Sequence, residues 1–257
     1  VGEGPVAFGA LIIGDELLVG KRQDKHLGFV IGALAARGLR LAWAEYQGDD
    51  PARLTATLRR TFASGDVVFS FGGIGATPDD HTRQCAGEAL GLPLALHPDA
   101  EREIRTRFPG AEATPNRLRM GEFPTGSRII PNPVNRVPGF AIGGHWFVPG
   151  FPQMAWPMVE WALDGHYRDQ FNRDRWAEDS VCVSEAGESQ LVPVMDAVGA
   201  KFPGVKVFSL PKMGPQGERI HVELGVRGAP EAVPAAMEAL RAGVQSLGFP
   251  FRATPAP

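Results

Sequence analysis

The chain has 257 residues, of which 44% are hydrophobic and 21% charged, and its formal net charge is -3. This hydrophobic and charged content is typical of globular proteins. The slightly negative net charge and the lack of any basic run longer than two residues argue against a nucleic-acid partner. The apolar stretches are too short for a transmembrane helix, so no membrane partner is expected. The first residues show no secretory signal, so we expect a cytoplasmic protein whose two cysteines are free thiols.

The first part of the chain alternates strands with helices. Residues 6–13 predict a buried strand, which is followed by a helix capped by Asp24. A second strand near residues 39–43 precedes a helix that opens at Asp50, and residues 67–71 predict a third strand. Strands and helices alternating in this way favour right-handed crossovers. We therefore predict an α/β fold: a three-layer domain with a mostly parallel sheet.

The remaining elements extend this domain and then add a second one. A helix is predicted at residues 98–108, an irregular segment at 110–139 with a short helix near 116–121, and a hairpin at 140–148 followed by a helix. Beyond a charged connector, the pattern predicts strands at 180–184, 205–210 and 219–226 and helices at 189–202 and 230–247. We therefore place an α/β domain at residues 5–165 and a small α+β domain at 176–250.

The most informative segment follows the third strand and reads Gly72-Gly73-Ile74-Gly75-Ala76-Thr77-Pro78-Asp79-Asp80. Three glycines in four positions allow a tight turn whose amides stay open to a ligand. Thr77, Pro78 and Asp80 match the N-cap, first-turn proline and capping carboxylate of a helix, which we predict from Pro78 to about Leu90. A glycine turn that leads into a helix N-terminus favours phosphate. The predicted phosphate-binding residues are Gly72, Gly73, Ile74, Gly75 and Thr77.

Two acidic groups follow strands at the same predicted sheet edge, Asp15-Glu16 and Asp79-Asp80. A phosphate about 4 Å from a carboxylate is repelled by about 4 kcal/mol at an effective dielectric constant of 20. A helix dipole contributes only about 1 kcal/mol, which cannot offset that repulsion. A divalent cation reverses it, so we predict that Asp15, Asp79 and Asp80 hold Mg²⁺, or alternatively Mn²⁺ or Co²⁺. For Asp80 the structural alternative is a capping role with Thr77, and for Asp79 it is a favourable interaction with the helix dipole.

Several separated motifs together resemble one known family. They are Gly14-Asp15-Glu16-Leu17-Leu18, Gly48-Asp49-Asp50, residues 72–82, Pro131-Asn132-Pro133, Pro138-Gly139-Phe140 and Pro149-Gly150-Phe151-Pro152. In this order and spacing they resemble the competence/damage-inducible protein A (CinA) family and the N-terminal domain of FAD synthase. Both are related to the molybdopterin-binding proteins of molybdenum-cofactor biosynthesis. The resemblance covers roughly residues 5–165, and the pattern after residue 187 looks like the small second domain of the same family.

The resemblance implies a ligand and a reaction class. It implies that a pterin or nucleotide phosphate, with molybdopterin as one candidate, binds the glycine turn near a metal, with Asn132, Pro149 and Gly150 at the rim. For these rim residues, plain turn chemistry is the alternative. Family members close to this chain are associated with metal-dependent hydrolysis of nucleotide pyrophosphates such as ADP-ribose or FAD, and relatives self-associate. A homo-oligomer is therefore expected.

Two functions stay open at this point, and a scaffold whose pocket has decayed is a third possibility. The leading hypothesis is a metal-dependent nucleotide pyrophosphatase in which a water activated by the metal attacks the pyrophosphate bond. Its catalytic residues are Asp80, Asp79 and Asp15. The alternative is a non-catalytic molybdopterin- or nucleotide-binding protein linked to molybdenum-cofactor biosynthesis.

The chain departs from the family pattern at four places. The family usually has Asn at the position of His26, Pro at Ala76, Gly-Thr-Ala-Pro-Gly at residues 135–139 and Glu at Gln153.

Overall fold

A computed structural model of the protein describes residues 6–172, 176–214 and 219–254. The chain divides into two compact units, Val1–Arg173 and Asp174–Pro257. Each unit has its own hydrophobic core, two clusters in the first and one in the second. No helix among the described residues is both long and apolar enough to cross a membrane.

The first unit contains eight described strands and seven described α-helices. The strands are β1 (Phe8–Ile13), β2 (Leu41–Gln47), β3 (Val67–Phe71), β4 (Leu94–Leu96), β5 (Glu122–Pro124), β6 (Arg128–Ile130), β7 (Gly139–Ile142) and β8 (His145–Val148). The helices are α1 (Asp15–Leu18), α2 (His26–Ala35), α3 (Pro51–Ser64), α4 (Thr82–Leu90), α5 (Pro98–Arg107), α6 (Pro115–Leu118) and α7 (Pro152–His166). Short 3₁₀ turns occur at Gly110–Glu112, Arg119–Gly121 and Arg168–Gln170.

Six of these strands form one mixed sheet in the order β2-β1-β3-β8-β7-β6. The pairs β1–β2, β1–β3 and β3–β8 are parallel, whereas β7 runs antiparallel to both of its neighbours. Apolar clusters cover both faces, one including residues of α2 and α7 and the other residues of α3, α4 and α5. The predicted three-layer, mostly parallel α/β fold is therefore confirmed.

Helix α3 begins where the sequence predicts, because the side chain of Asp50 accepts a hydrogen bond from the amide of Arg53 at 2.8 Å. Loss of an N-cap of this kind costs about 1 kcal/mol. We expect Asp50→Ala to lower the free energy of unfolding by about 1 kcal/mol in urea denaturation. Asp50→Asn keeps an acceptor oxygen and is the control; an equal loss in both variants would show that capping is not the cause.

His145, the first residue of β8, is fully buried between two hydrogen-bond partners, the carbonyl of Gly143 at 3.1 Å and the hydroxyl of Thr61 at 2.8 Å. Burial lowers the pKa of His145 from 6.5 to about 4. The unfolded chain therefore takes up this proton at a higher pH than the folded one, and stability present above pH 6.5 is lost as pH falls towards 4.

This linkage gives a pH-dependent prediction. Between about pH 7 and pH 5, titration of His145 is expected to lower the free energy of unfolding by about 2 kcal/mol. The measurement is urea denaturation at both pH values for the wild-type protein and for His145→Gln, which cannot titrate. The variant's loss over this interval should be smaller by that amount, and equal losses would contradict a neutral buried imidazole.

Three sequence predictions within the first unit need correction. The helix predicted from Pro78 begins only at Thr82, so Thr77 is not its N-cap. Strand β4 was not predicted. The segment predicted as irregular at 110–139 contains β5 and β6, each of only three residues. The proline and asparagine residues around them are typical of loops, so the sequence did not predict strands here. Strands β5 and β6 form because they pair with β4 and β7, respectively.

The second unit packs two helices on one face of a four-stranded antiparallel sheet of order β10-β11-β9-β12. Its elements are β9 (Ala177–Val183), α8 (Glu188–Lys201), β10 (Val205–Met213), β11 (Arg219–Gly228), α9 (Val233–Ser246) and β12 (Phe251–Ala253). The predicted β-α-β-β-α order is present, and the short final strand β12 was not predicted. Cys85 in the first unit and Cys182 in the second are both free and buried.

Candidate functional site

Loops from four separate parts of the chain meet at one edge of the six-stranded sheet. Gly48 follows β2, Gly14 follows β1, Gly72 follows β3 and Gly150 follows β8 by two residues. Because these four strands are mutually parallel, their carboxyl ends share this edge. The chain reverses direction across the sheet between β1 and β3, and ligands of open α/β sheets bind at such a switch point.

The glycine turn after β3 is held against its two neighbouring strands. The amide of Gly72 donates to the carbonyl of Val148 at 3.0 Å, and Gly72 and Gly73 have φ angles of 101° and 67°. A Cβ atom on Gly72 would lie 2.4 Å from the carbonyl oxygen of Ile13, and one on Gly73 would lie 2.2 Å from the hydroxyl of Thr82. Glycine is therefore required at both positions by conformation and by space.

Four successive amides of this turn lack a protein hydrogen-bond partner. Among the described residues, no acceptor bonds the backbone N–H of Gly73, Ile74, Gly75 or Ala76. These residues are buried or half-buried, and amides in such surroundings are normally paired. Gly73, Ile74 and Gly75 of the predicted set, joined by Ala76, therefore present a run of free donors, which is the chemistry of an anion cradle. The amides of Gly72 and Thr77, which were also predicted, are occupied by Val148 and Asp80.

Asp80 closes the far end of the turn. Its Oδ2 atom accepts the amide of Thr77 at 2.8 Å and also a short hydrogen bond from the Thr77 hydroxyl, while the Asp80 amide donates back to the carbonyl of Thr77 at 3.0 Å. The predicted partnership of Thr77 with Asp80 is therefore present, but it closes a separate loop ahead of α4. One carboxylate oxygen of Asp80 serves to hold the turn.

The buried side chain of Arg83 holds the glycine turn from the interior of the protein. The sequence did not single out this residue. Its side chain is 2% exposed, and its guanidinium donates to the carbonyls of Gly75 (2.6 Å), Arg119 and Glu122 (3.4 Å). Burial lowers the pKa of Arg83 from its usual value. A buried cation within this short distance of the glycine turn adds positive potential under the proposed anion site.

Asp15 and Asp49 form a reciprocal pair across β1 and β2. The amide of Asp15 donates to Asp49 Oδ2 at 2.9 Å, and the amide of Asp49 donates to Asp15 Oδ1 at 3.2 Å. Burial raises the pKa of Asp49, and the charges of Asp15, Glu16 and Asp79 raise it further. The structure thus pairs Asp15 with Asp49, whose signal was the Gly48-Asp49-Asp50 motif after β2, and the charge of Asp79 acts on the same carboxyl group of Asp49.

These carboxylates do not form a complete metal site by themselves. Across residues 6–172, 176–214 and 219–254, no group of three or more His, Cys, Asp or Glu side chains is arranged to hold a metal ion. Asp15 and Asp79 are exposed and Asp49 is half-buried. Magnesium is commonly bound by one or two carboxylates together with the phosphates of a substrate. This donor set fits a cation that arrives with a phosphate ligand.

Asn132 holds its own loop. Its Nδ2 donates to the carbonyl of Val137 at 2.9 Å, and its Oδ1 accepts the amides of Val134 and Asn135. This arrangement is the plain turn chemistry that the sequence left open for Asn132. A cavity of about 410 Å³ adjoins this loop, two strands away from β8, and is lined in part by Glu103, Arg136 and Trp161.

Gly150, by contrast, lies against the glycine turn. A Cβ atom on Gly150 would lie 3.4 Å from the Cα atom of Gly72. A second cavity, of about 300 Å³, adjoins Gly150, and Ile12, Phe71 and His26 are among its lining residues. Pro149 precedes Gly150 directly, so these two predicted rim residues lie beside the glycine turn, whereas the hydrogen bonds of Asn132 stay within its own loop.

Comparison with known proteins agrees with this geometry. Residues 9–166 match the family model described as "Probable molybdopterin binding domain". The chain belongs to the CinA-type molybdopterin-binding family. A CinA-like protein from Desulfovibrio desulfuricans is 36% identical over 153 residues, which cover 58% of this chain and 36% of that protein. This chain therefore matches only about a third of that relative's length.

Two relatives from Thermoplasma acidophilum extend the comparison. "Protein Ta0487" is 28% identical over 228 residues, covering 86% of this chain and 88% of that protein. The solved structure of "the protein CinA with unknown function" from the same organism superposes with a TM-score of 0.56 at 27% identity, covering 64% of this chain and 99% of that one. The predicted CinA-type family and fold are confirmed.

Proposed function

We propose that this CinA-type protein binds the phosphate of a pterin or nucleotide at the glycine turn after β3. The observation that carries the proposal is the run of four unpartnered amides from Gly73 to Ala76, at the switch point of the sheet. Such a run of N–H groups takes up negative charge, and Arg83 lies beneath it at 2.6 Å from the carbonyl of Gly75. The turn is already shaped by its contacts with Ile13 and Val148, so binding requires little ordering.

The proposal includes a divalent cation. One or two of Asp15, Asp49 and Asp79 would bind it together with phosphate oxygens, because the charges of Asp15 and Asp79 act on Asp49 and such carboxylates repel a phosphate that carries no cation. Asp80 contributes chiefly by holding Thr77. A cation bound here supplies Lewis-acid polarisation and neutralises charge on the phosphate oxygens. Magnesium is the first choice, with manganese and cobalt as alternatives.

We further propose that the ligand is a nucleotide pyrophosphate, such as ADP-ribose or FAD, and that the protein hydrolyses it. The four free amides would bind the phosphoryl oxygens and stabilise the charge that develops on them during attack by water. Asp15, Asp49 and Asp79 repel a bare phosphate, so their role would be to attract the cation that neutralises it. The curated CinA-like relatives are much longer than the matched segment, so their whole-protein activities are not transferred.

A non-catalytic binder is the second candidate. It is favoured by one observation: within the part of the chain that the structure describes, the carboxylates form no ready-made metal group. Such a protein would bind a pterin or nucleotide phosphate and release it unchanged.

Calorimetry and a hydrolysis screen separate these outcomes. Titration of ADP-ribose and a pterin diphosphate with Mg²⁺ and with a chelator tests the site, and affinity that is equal in both conditions would remove the cation from the proposal. Turnover of dinucleotide pyrophosphates with Mg²⁺, Mn²⁺ or Co²⁺ supports the enzyme. Binding without turnover of any of them supports the binder. If neither binding nor turnover is observed, the site has no function of this kind.

The expected homo-oligomer remains a prediction from the resemblance. Sedimentation equilibrium of the purified protein measures the mass directly, and a mass equal to the 27.6 kDa chain would contradict the expectation.

A further inference from the structure

The glycine turn is held on its carbonyl side by the first two residues of α4. The hydroxyl of Thr82 donates to the carbonyl of Gly72 at 3.1 Å, and the Thr82 amide donates to the carbonyl of Gly73 at 3.0 Å. The guanidinium of Arg83 donates to the carbonyl of Gly75 at 2.6 Å. Three carbonyls of the turn are therefore bound from the start of α4.

Each bound carbonyl fixes the direction of one N–H group. A peptide bond is planar, and in its trans form the C=O and N–H groups point to opposite sides. The described residues contain no cis peptide bond. The N–H groups of Gly73, Ile74 and Ala76 belong to the three peptides whose carbonyls are bound, so they point away from the start of α4. These are three of the four amides that have no acceptor among the described residues.

Both side chains that bind these carbonyls are buried. Thr82 is 0% and Arg83 2% exposed, so water cannot readily replace them. The guanidinium of Arg83 also donates to the carbonyls of Arg119 and Glu122, which fixes its own position. A buried carbonyl left without a donor is unfavourable, so these hydrogen bonds persist in the folded protein.

We propose that Thr82 and Arg83 are positioning residues of the anion site, which direct the N–H groups of Gly73, Ile74 and Ala76 towards the bound phosphate. This inference rests on the proposed function, since it concerns the turn that would bind the phosphate. Neither residue touches the ligand. The hydroxyl of Thr82 acts through the amide of Gly73, and the guanidinium of Arg83 acts through the amide of Ala76.

Such positioning matters because the turn is rich in glycine. Glycine has more conformational freedom than any other residue, so the peptides of this turn can rotate unless they are held. Donors that are already oriented lose little freedom when an anion binds, and the affinity is higher for that reason. A peptide whose carbonyl accepts a hydrogen bond is also polarised, which makes its N–H group a stronger donor. The structural alternative is that Thr82 and Arg83 only anchor α4.

Calorimetric titration with inorganic pyrophosphate in Mg²⁺ tests the inference. Thr82→Val keeps the shape of the side chain and removes the hydroxyl, so the amide of Gly73 is no longer held. We expect the affinity for pyrophosphate to fall about tenfold, the value of one hydrogen bond to a charged group. Thr82→Ser keeps the hydroxyl and should bind pyrophosphate within about twofold of the wild-type protein.

Thr61→Val is the matched control. Thr61 is 1% exposed, and its hydroxyl is bonded to the carbonyl of Leu58 at 3.2 Å and to His145, the first residue of β8, at 2.8 Å. Its loss should lower the urea midpoint about as much as Thr82→Val does, because each variant removes a buried hydroxyl that is hydrogen-bonded. The affinity for pyrophosphate should stay unchanged in Thr61→Val.

Nuclear magnetic resonance distinguishes positioning from a general loss of structure. In the wild-type protein, saturating pyrophosphate should shift the amide proton resonances of Gly73, Ile74 and Ala76 downfield. In Thr82→Val the shift of Gly73 should shrink while that of Ala76 remains, and in Arg83→Met the reverse is expected. Loss of structure, or of the charge of Arg83 alone, would reduce all three shifts together. If Arg83→Met does not fold, the Thr82 variants decide the question.

Two results would overturn the inference and leave the phosphate site in place. One is equal affinity for pyrophosphate in Thr82→Val and Thr82→Ser. The other is a loss of amide shifts in the variants that does not distinguish Gly73 from Ala76. Failure of the proposed function has a different signature, because pyrophosphate would then not bind the wild-type protein, and the inference would fall with it.

Discussion

Gly72→Ala is expected to lower the free energy of unfolding by about 3 kcal/mol, as the sum of a conformational and a steric cost. The residue has a φ angle of 101°, a conformation that costs a side-chain-bearing residue about 1–2 kcal/mol. The added Cβ atom would also lie 2.4 Å from the backbone carbonyl of Ile13, and overpacking of this kind costs a further 1–3 kcal/mol or so. Ile13 ends β1 and is still paired with Gln47 of β2, so its carbonyl oxygen has little freedom to move aside.

Gly65→Ala is the matched control for this experiment. Gly65 also has a positive φ angle, 77°, but a Cβ atom added there would meet open space, with no neighbouring atom within 4 Å. Its cost should therefore be the conformational part alone, about 1 kcal/mol. Urea denaturation measures both, and equal costs would show that the contact with Ile13 is relieved by movement. Phosphate affinity should fall with Gly72→Ala and remain intact with Gly65→Ala.

Asp79→Asn is expected to reduce Mg²⁺-dependent affinity for a nucleotide pyrophosphate by about 100-fold, because the variant removes one of three proposed cation-binding charges. The same change should raise the affinity measured in chelator, since a phosphate no longer meets this carboxylate. A change in affinity that is a loss with the cation and a gain without it distinguishes this role from general damage to the site. Calorimetry in the two buffers gives both values.

Asp66→Asn provides the control for charge. Asp66 precedes β3 at the opposite edge of the sheet, and an asparagine there can still accept from the indole N–H of Trp43, now bonded at 2.8 Å. We expect no change in affinity in either buffer. If Asp79→Asn behaves like Asp66→Asn, the cation lies elsewhere or is not needed.

The sequence predicts most of the fold because its strands and helices are signalled locally. The buried strand at residues 67–71 and the helix opened by Asp50 are set by apolar runs, capping side chains and proline, and both are present. The hairpin of β7 and β8 likewise follows from two apolar runs around Gly143 and Gly144. Each of these features depends on neighbours within a few residues.

The start of α4 shows where local signals fail. Thr77, Pro78 and Asp80 have the spacing of a helix N-terminus, yet the helix begins at Thr82. The amide and hydroxyl of Thr82 donate to the carbonyls of Gly73 at 3.0 Å and Gly72 at 3.1 Å, so the helix starts where it is tied to the glycine turn. These hydrogen bonds depend on tertiary structure, and the spacing of Thr77, Pro78 and Asp80 in the sequence does not indicate them.

The candidate site was predicted only in part, because some of its contacts also depend on tertiary structure. The glycine turn and Asp15 were located by their place after strands, and Gly150 joins them at the same edge. Arg83 could not be anticipated, because an arginine on a helix is normally exposed, and here it is buried against three carbonyls of distant loops. Asn132 was assigned to the ligand from a motif, whereas its hydrogen bonds stay within its own loop.

The parallel pairing of β2, β1, β3 and β8 brings together segments that begin near residues 14, 48, 72 and 149. The cradle amides all lie in the segment after β3, but the turn is shaped by its contacts with Ile13 and Val148, so an unfolded chain should have little affinity to compete with the folded one. Ligand binding must then appear in full as resistance to unfolding, about 2.7 kcal/mol at a ligand concentration about 100 times the dissociation constant. Amide hydrogens in the central strands, far from any direct contact with the proposed ligand, should then exchange about 100-fold more slowly.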